Sequence, residues 1–307
     1  MKKSYRKVAI FYDWINQWGG AERVLLDILK IFPNADLLTF YYRPQNWLPK
    51  NTKIITPPFN LKKYDLVIST TSYFGYLINA NIYYFHNTNR HFNFKFADKF
   101  LLPKNRIYLC NSQNVKKRIK KHFGVDAKIV YPGINIKKFV PIKNPNKNYY
   151  LIVSRFVPYK KINLAIIACQ ELGKKLIVIG TGRQEKYLKN ISNKKYIQFL
   201  GKIKEKDLIN YYQNAKALIF PQLEDFGLTA IESQACGRPV IAYKAGGALE
   251  TIIENQTGIF FENQTIESLK NAIKKFEKQK FSSSKCHNNS LKFSNTRFML
   301  NFKKQLK

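Results

Sequence analysis

The stretch Phe220–Ile253, FPQLEDFGLTAIESQACGRPVIAYKAGGALETII, decides the fold. It opens on the end of an apolar run, Ala217-Leu218-Ile219-Phe220, which Pro221 stops. That is the pattern of a strand buried on both faces of a parallel sheet. An acidic loop, Glu224-Asp225-Phe226, follows, and Gly227 lets the backbone turn tightly. Leu228, Ile231 and Ala235 then recur at helical spacing until Gly237 and Pro239 close the helix. Pro239–Tyr243 reads as the next strand, and Gly246-Gly247 leads into a helix over Ala248–Ile253. The result is a parallel α/β unit with two strand-to-helix turns side by side. Ligands of open α/β sheets bind beyond the carboxyl ends of such strands.

The rest of the chain repeats this alternation, as a doubly wound architecture requires. In the first half, strands are expected over Val8–Trp14, Ala35–Tyr42, Lys53–Thr56, Asp65–Thr70, Asn81–Asn87, Arg106–Asn111 and Lys128–Tyr131, with helices over Ala21–Phe32 and Asn114–Phe123. Leu66–Phe85 carries no charge, but its Ser, Thr, Gly and Asn residues break it into strand-like pieces with a turn rather than a membrane span. The turn-rich stretch from Pro132 to Pro145 holds the domain boundary, giving domains over 1–141 and 142–285. The pattern restarts at Tyr149–Ser154 and continues to a strand over Thr257–Glu262 and a helix over Thr265–Lys280. After Ser282-Ser283-Ser284, residues 286–307 hold a last helix, roughly Ser290–Leu306.

At 307 residues, 45% hydrophobic and 15% aromatic, the chain has the apolar content of folded domains, which excludes a disordered protein. Lys and Arg number 53 against 19 Asp and Glu, a formal net charge of +34. That excess reads either as a compositional bias spread over the surface or as attraction to anionic lipid head groups. Nucleic acid is not expected as a partner, since no recognisable binding module is present. Cys110, Cys169, Cys236 and Cys286 show no metal spacing and read as buried free thiols of a reducing cytoplasm. The N-terminal apolar run is broken at Asp13 and is too short for a signal peptide.

Several residues stand where chemistry is placed in such folds. Glu224 and Glu232 bracket the first turn, with seven residues between them. Arg155 and Lys160 follow the first strand of the second half, and Gly180-Thr181-Gly182 follows its second. Trp18-Gly19-Gly20-Ala21-Glu22 opens the first helix, where free N–H groups and the helix dipole favour an anion. It lacks the Gly-Lys-Ser/Thr of a P-loop. His86 ends an apolar strand, and Lys116, Lys117, Arg118, Lys120, Lys121 and His122 make the second helix cationic.

Taken together, Glu-x-Phe-Gly-x4-Glu, then Ala-x-Gly-x-Pro-Val-Ile-Ala, then Gly-Gly, resembles the donor-binding signature of family-4 glycosyltransferases of the GT-B fold. The opening Tyr12-Asp13-Trp14, Trp18 through Val24, His86-x3-Arg90 and Asn111–Ile119 are similar to the branch of bacterial mannosyltransferases that extend O-antigen and capsule-type polysaccharides. The stretches Pro57–Lys63 and His91–Asn105 are shorter than is usual in that branch.

The resemblance implies a retaining hexosyltransferase with two Rossmann-like domains facing a cleft and a C-terminal helix crossing back to the first. Glu224 would contact the donor's sugar hydroxyls, Glu232 would hold the ribose, and the backbone of Phe226, Gly227 and Leu228 would face sugar and diphosphate. Arg155 and Lys160 would grip the diphosphate, with Lys161 the one-residue alternative. Gly19 and Gly20 would lie against the same diphosphate, Gly180 and Gly182 would end at the nucleotide, and His86 would orient the sugar. It implies a nucleotide-sugar co-substrate and no metal. GDP-mannose is the favoured donor and a UDP-sugar the alternative. The expected acceptor is a lipid-linked or growing polysaccharide at the inner membrane face, reached from the cytoplasm by a peripheral protein. A shortened paralogue that binds sugar-nucleotide without turnover stays open.

Overall fold

A computed structural model describes residues 5–71, 75–87, 102–103 and 105–306. The chain divides into two compact units, Met1–Gly133 with Asn295–Lys307, and Ile134–Ser294. The division lies within the turn-rich stretch but ahead of residue 141. Ile134 already belongs to the second unit, because its N–H donates to the Phe293 carbonyl at 2.9 Å and it bridges in parallel to Ser294.

The first unit contains β1 (Val8–Tyr12), β2 (Trp14–Ile15), β3 (Asp36–Leu38), β4 (Tyr41–Tyr42), β5 (Ile54–Ile55), β6 (Leu66–Thr71), β7 (Ile82–Phe85), β8 (Ile107–Cys110) and β9 (Lys128–Ile129). Seven of these form a parallel sheet in the order β5-β3-β1-β6-β7-β8-β9, and β2 and β4 pair separately beyond the ends of β1 and β3. Val8, Ile10 and Tyr12 pack on the side of helix α1 (Gly20–Ile31), and Ala9 and Phe11 on the side of α2 (Gln113–Phe123). Burial on both faces explains why these strands read as continuous apolar runs. Ser112 caps α2, its hydroxyl accepting the Val115 N–H at 3.1 Å, and Val115, Ile119 and Phe123 turn inward while the lysines stay outside.

Some readings change here, and the strand expected over Val8–Trp14 already ends at Tyr12, with Trp14 in β2. The strand expected over Ala35–Tyr42 is two, because the buried Thr39 hydroxyl bonds the Asp13 carbonyl at 3.1 Å and bends the chain between β3 and β4. The two pieces of Leu66–Phe85 are the sheet strands β6 and β7, as expected, and they pair in parallel. No helix among the described residues is long and apolar enough to cross a membrane. The single helix expected at Ser290–Leu306 is broken by a 3-10 turn, Leu291–Phe293, and an extended Ser294. Phe293 packs against Phe226 in the second unit at 5.6 Å, while Phe298 and Phe302 of the C-terminal helix Asn295–Lys304 enter the first unit's core beside Tyr84.

The second unit runs β10 (Tyr150–Val153), α3 (Ile162–Glu171), β11 (Leu176–Ile179), α4 (Glu185–Asn190), β12 (Ile197–Gly201), α5 (Glu205–Asn214), β13 (Ala217–Phe220), α6 (Leu228–Ala235), β14 (Val240–Tyr243), α7 (Ala248–Thr251), β15 (Gly258–Phe261), α8 (Ile266–Glu277) and α9 (Ser283–Ser290). Its sheet is parallel, in the order β12-β11-β10-β13-β14-β15. The chain leaves β10 toward one edge and later leaves β13 toward the other, so the topological switch point lies between these two strands. Cys110, Cys169, Cys236 and Cys286 are all buried free thiols. Burial pushes the Cys169 and Cys286 thiols up to about 12, which leaves them protonated and unreactive.

Candidate functional site

The switch point of the second unit collects the residues that the sequence singles out there. Beyond β10, Arg155 is exposed and its guanidinium donates to the Tyr159 hydroxyl at 3.1 Å. A 3-10 turn, Pro158–Lys160, then carries the Lys160 side chain inward to 7% exposure. Its ammonium ion-pairs with Glu224, from the loop beyond β13, and lies 4.9 Å from the Tyr159 ring centre. Lys161 ends the turn exposed, so of the two lysines it is Lys160 that meets the acid. Salt bridges of exposed pairs contribute little, but one with a buried ammonium fixes the geometry of both loops.

Close backbone packing holds these turns. The Gly247 N–H donates to the Glu224 carbonyl at 2.9 Å, which joins the turn after β13 to the turn after β14. Gly227, with φ of 94°, caps α6, and a Cβ there would come within 2.8 Å of the buried Phe220 ring. No side chain caps α6, so its first N–H groups and the positive end of its dipole face the loop that holds Glu224 and Phe226. Leu228 opens the helix, and Phe226 is buried against Phe293. Beyond β11, a Cβ on Gly182 would lie 2.5 Å from the Phe156 carbonyl oxygen, and one on Gly180 still closer, 1.9 Å, to that of Ser154.

Glu232 lies in α6, 1% exposed, and accepts a hydrogen bond from the buried Tyr212 hydroxyl of α5 at 2.8 Å. It is thus a buried, oriented acid beneath the turn rather than one on the surface with Glu224. Tyr159 and Tyr212 were missed from the sequence. Tyr159 lies between two singled-out cations, which could have drawn attention to it. Tyr212 stands on another helix and leaves no local signal.

In the first unit, Gly19 is the N-cap of α1 and Gly20 its first residue, again with no side-chain cap. Glu22 turns inward to 2% exposure and accepts the Tyr12 hydroxyl proton at 2.6 Å. His86 follows β7, with its ring 5.2 Å from that of Tyr84 and 6.4 Å from that of Tyr12. Its Nε2 is buried without a hydrogen-bond partner among the described residues, and burial lowers its pKa to about 3. His86 is therefore neutral at physiological pH, able to orient a hydroxyl but not to neutralise an anion. Arg90, expected with it, lies outside the described residues. Among the described residues, no group of three or more His, Cys, Asp or Glu side chains could hold a metal ion.

Comparison with known proteins adds to this geometry. The family model described as Glycosyl transferases group 1 matches residues 134–293, nearly the whole second unit. The GDP-mannose-dependent monoacylated alpha-(1-6)-phosphatidylinositol monomannoside mannosyltransferase of Corynebacterium glutamicum is 28% identical over 188 residues, 52% of this chain and 49% of the relative. The alpha-1,3/1,6-mannosyltransferase of Dictyostelium discoideum is 26% identical over 306 residues, 89% of this chain and 69% of the relative. Matches to the first curated relatives span about half of their length or less. Among solved structures, Anabaena HepE in complex with UDP superposes with a TM-score of 0.79 at 19% identity, covering 98% of this chain and 99% of that one. A glycosyltransferase from Rickettsia africae superposes at 0.76 with 20% identity and the same coverage, so the fold is of the GT-B type.

Proposed function

Since the chain belongs to the group 1 glycosyl transferases, we propose that it is a retaining family-4 enzyme that moves mannose from GDP-mannose to a lipid-linked or growing polysaccharide acceptor. The second unit binds the nucleotide-sugar and the first receives the acceptor. The observation that carries this reading is the Lys160–Glu224 ion pair, which joins a cation and an acid from the two strands flanking the switch point.

An ammonium has three N–H donors, so Lys160 can keep Glu224 and still bond an oxygen of the donor's diphosphate. Arg155 offers a planar fork to two further oxygens. The sugar C1–O bond to the diphosphate breaks, the acceptor oxygen bonds C1 from the same face, and the acceptor proton passes to the departing diphosphate. Negative charge grows on the leaving oxygen as the bond breaks, so cations aimed at it act most strongly in the transition state. Glu224 accepts from the sugar hydroxyls, the uncapped start of α6 faces the phosphates, and Glu232 reaches the ribose hydroxyls from below the turn. Neutral His86 orients the sugar. No metal is required in this scheme, because the two cations carry the leaving-group charge.

GDP-mannose is favoured by the Corynebacterium relative, whose name states that donor, and mannose also by the Dictyostelium one. A UDP-sugar is the second reading, favoured by the UDP found in the Anabaena structure. The cationic surface supports peripheral action at the cytoplasmic face of a membrane. A panel of GDP- and UDP-sugars, read by thermal shift and donor hydrolysis together, tests the assignment. GDP-mannose should stabilise the protein most and be hydrolysed slowly without acceptor. Stabilisation without hydrolysis or transfer would identify a binding protein, and no response to any donor would remove the reading.

A further inference from the structure

Tyr159 stands between the two cations of the second unit's site and touches both. Its hydroxyl oxygen accepts from the Arg155 guanidinium at 3.1 Å, and the Lys160 ammonium lies over its ring, 4.9 Å from the centre. The ring is 47% exposed, so burial does not account for its place. Nor does the turn depend on it. The Lys160 N–H donates to the Val157 carbonyl at 3.0 Å and the Lys161 N–H to the Pro158 carbonyl at 3.1 Å, so the backbone closes the turn by itself. Pro158, whose ring fixes φ, opens it.

What remains for the side chain is its two contacts. A phenol combines a π face, which attracts an ammonium, with an acceptor oxygen at its far end, which can hold a guanidinium. Arg155 is exposed, and a long side chain free to rotate must be ordered when it meets a ligand. One held in advance has already lost that freedom, and a guanidinium has more donors than this single contact uses. We propose that Tyr159 is the positioning residue of the leaving-group site, its oxygen aiming the Arg155 fork and its ring steadying Lys160 before the donor arrives. The inference deepens the proposed function and rests on its assignment of both cations to the diphosphate. It does not depend on which base or sugar the donor carries.

The test is a double-mutant cycle on the full chain, read by calorimetric binding of GDP and GDP-mannose and by donor hydrolysis, with UDP and UDP-glucose in parallel. GDP bears on its terminal phosphate the charge that the sugar bond masks in the donor, and that charge reappears as the bond breaks. Tyr159→Phe keeps the ring and removes the acceptor. It should therefore weaken GDP binding about fivefold and slow hydrolysis about tenfold, while GDP-mannose affinity stays within about twofold. Its unfolding midpoint should match the native one, since the bonds of the turn remain. Tyr159→Leu, which also removes the ring, should weaken GDP further. In an Arg155→Ala background, Tyr159→Phe should change GDP affinity by less than about twofold, because the hydroxyl works through the fork. Losses that multiply in the double variant would mean that the hydroxyl meets the ligand itself, and would overturn the positioning role. So would a Tyr159→Phe variant that binds GDP like the native chain, or one whose losses follow a lowered unfolding midpoint. Nucleotide binding with the expected coupling but no hydrolysis or transfer would remove the transferase and keep the positioning role. A native chain that binds neither nucleotide removes both.

Discussion

Lys160 and Lys161 differ by one position in sequence and completely in surroundings. Lys160 is buried and paired with Glu224, while Lys161 is exposed at the end of the same turn. Lys160→Ala strips a half-buried carboxylate of its partner and, on the proposed mechanism, the diphosphate of a cation. It should lower stability by about 1–3 kcal/mol and kcat by about 10²–10³-fold. Lys161→Ala should stay within about 0.5 kcal/mol of the native chain and leave kcat nearly intact. Equal losses in steady-state transfer assays would remove Lys160 from the diphosphate. His86 gives a second prediction, in pH. Its folded pKa of about 3 lies below its ordinary value of 6.5, so between those values the unfolded chain binds a proton that the folded chain does not. Stability should therefore fall as pH drops from 6.5 toward 3, by at most about 1.4 kcal/mol per unit. His86→Gln should flatten that part of a denaturation-against-pH series. An unchanged slope would show that the imidazole is not what resists protonation.

At the scale of elements, the turn from β13 into α6 makes the most demanding use of its sequence. Gly227→Ala places a Cβ against Phe220 at a φ of 94°, where side chains are strained. A loss of about 1–3 kcal/mol is expected, and it should appear both as a lower Tm and as weaker binding of nucleotide-sugar, since the α6 N–H groups shift with the turn. A lower Tm with unchanged donor affinity would detach this turn from the site. The strand–turn–helix order here was legible because parallel strands buried on two faces are apolar throughout and glycines mark their turns. The elements that misled were those whose partners lie far away in sequence. Thr39 breaks a strand through the Asp13 carbonyl, and Phe293 and Phe298 belong to different units although one helical pattern spans them in the sequence. The same holds in the site. Glu224 and Lys160 could be read from their strand ends, but that they touch, and that Tyr212 holds Glu232 below the surface, depends on long-range packing that no local pattern encodes.

The charge belongs to the whole molecule. With 53 cations against 19 acids, like-charged pairs outnumber opposite ones over the chain as a whole. Self-repulsion of this kind destabilises a compact state. Raising salt from about 0.1 M to about 1 M shortens the screening length from about 10 Å to about 3 Å, which quenches the long-range repulsion first. The opposing effect is the loss of ion pairs, and the strongest of these resist screening by being partly buried. Glu277 accepts from Lys174 and Lys216 at 2.5 Å and from Tyr150 at 2.8 Å. Burial pushes its carboxyl up, yet those bonds outweigh it and hold the pKa down at about 2. Repulsion at range is therefore screened more than attraction at contact, and sodium chloride should stabilise the chain. A gain of about 1–2 kcal/mol would raise Tm by about 2–3 °C in a chain of this size. Chloride is the salt to use, because sulfate strengthens burial in any protein and would hide the sign. A Tm that falls with sodium chloride would mean that contact pairs dominate and that the excess charge is already neutralised locally. A Tm that rises while vesicle binding weakens over the same salt range would show one surface charge acting in both ways, opposing the fold and attracting the membrane.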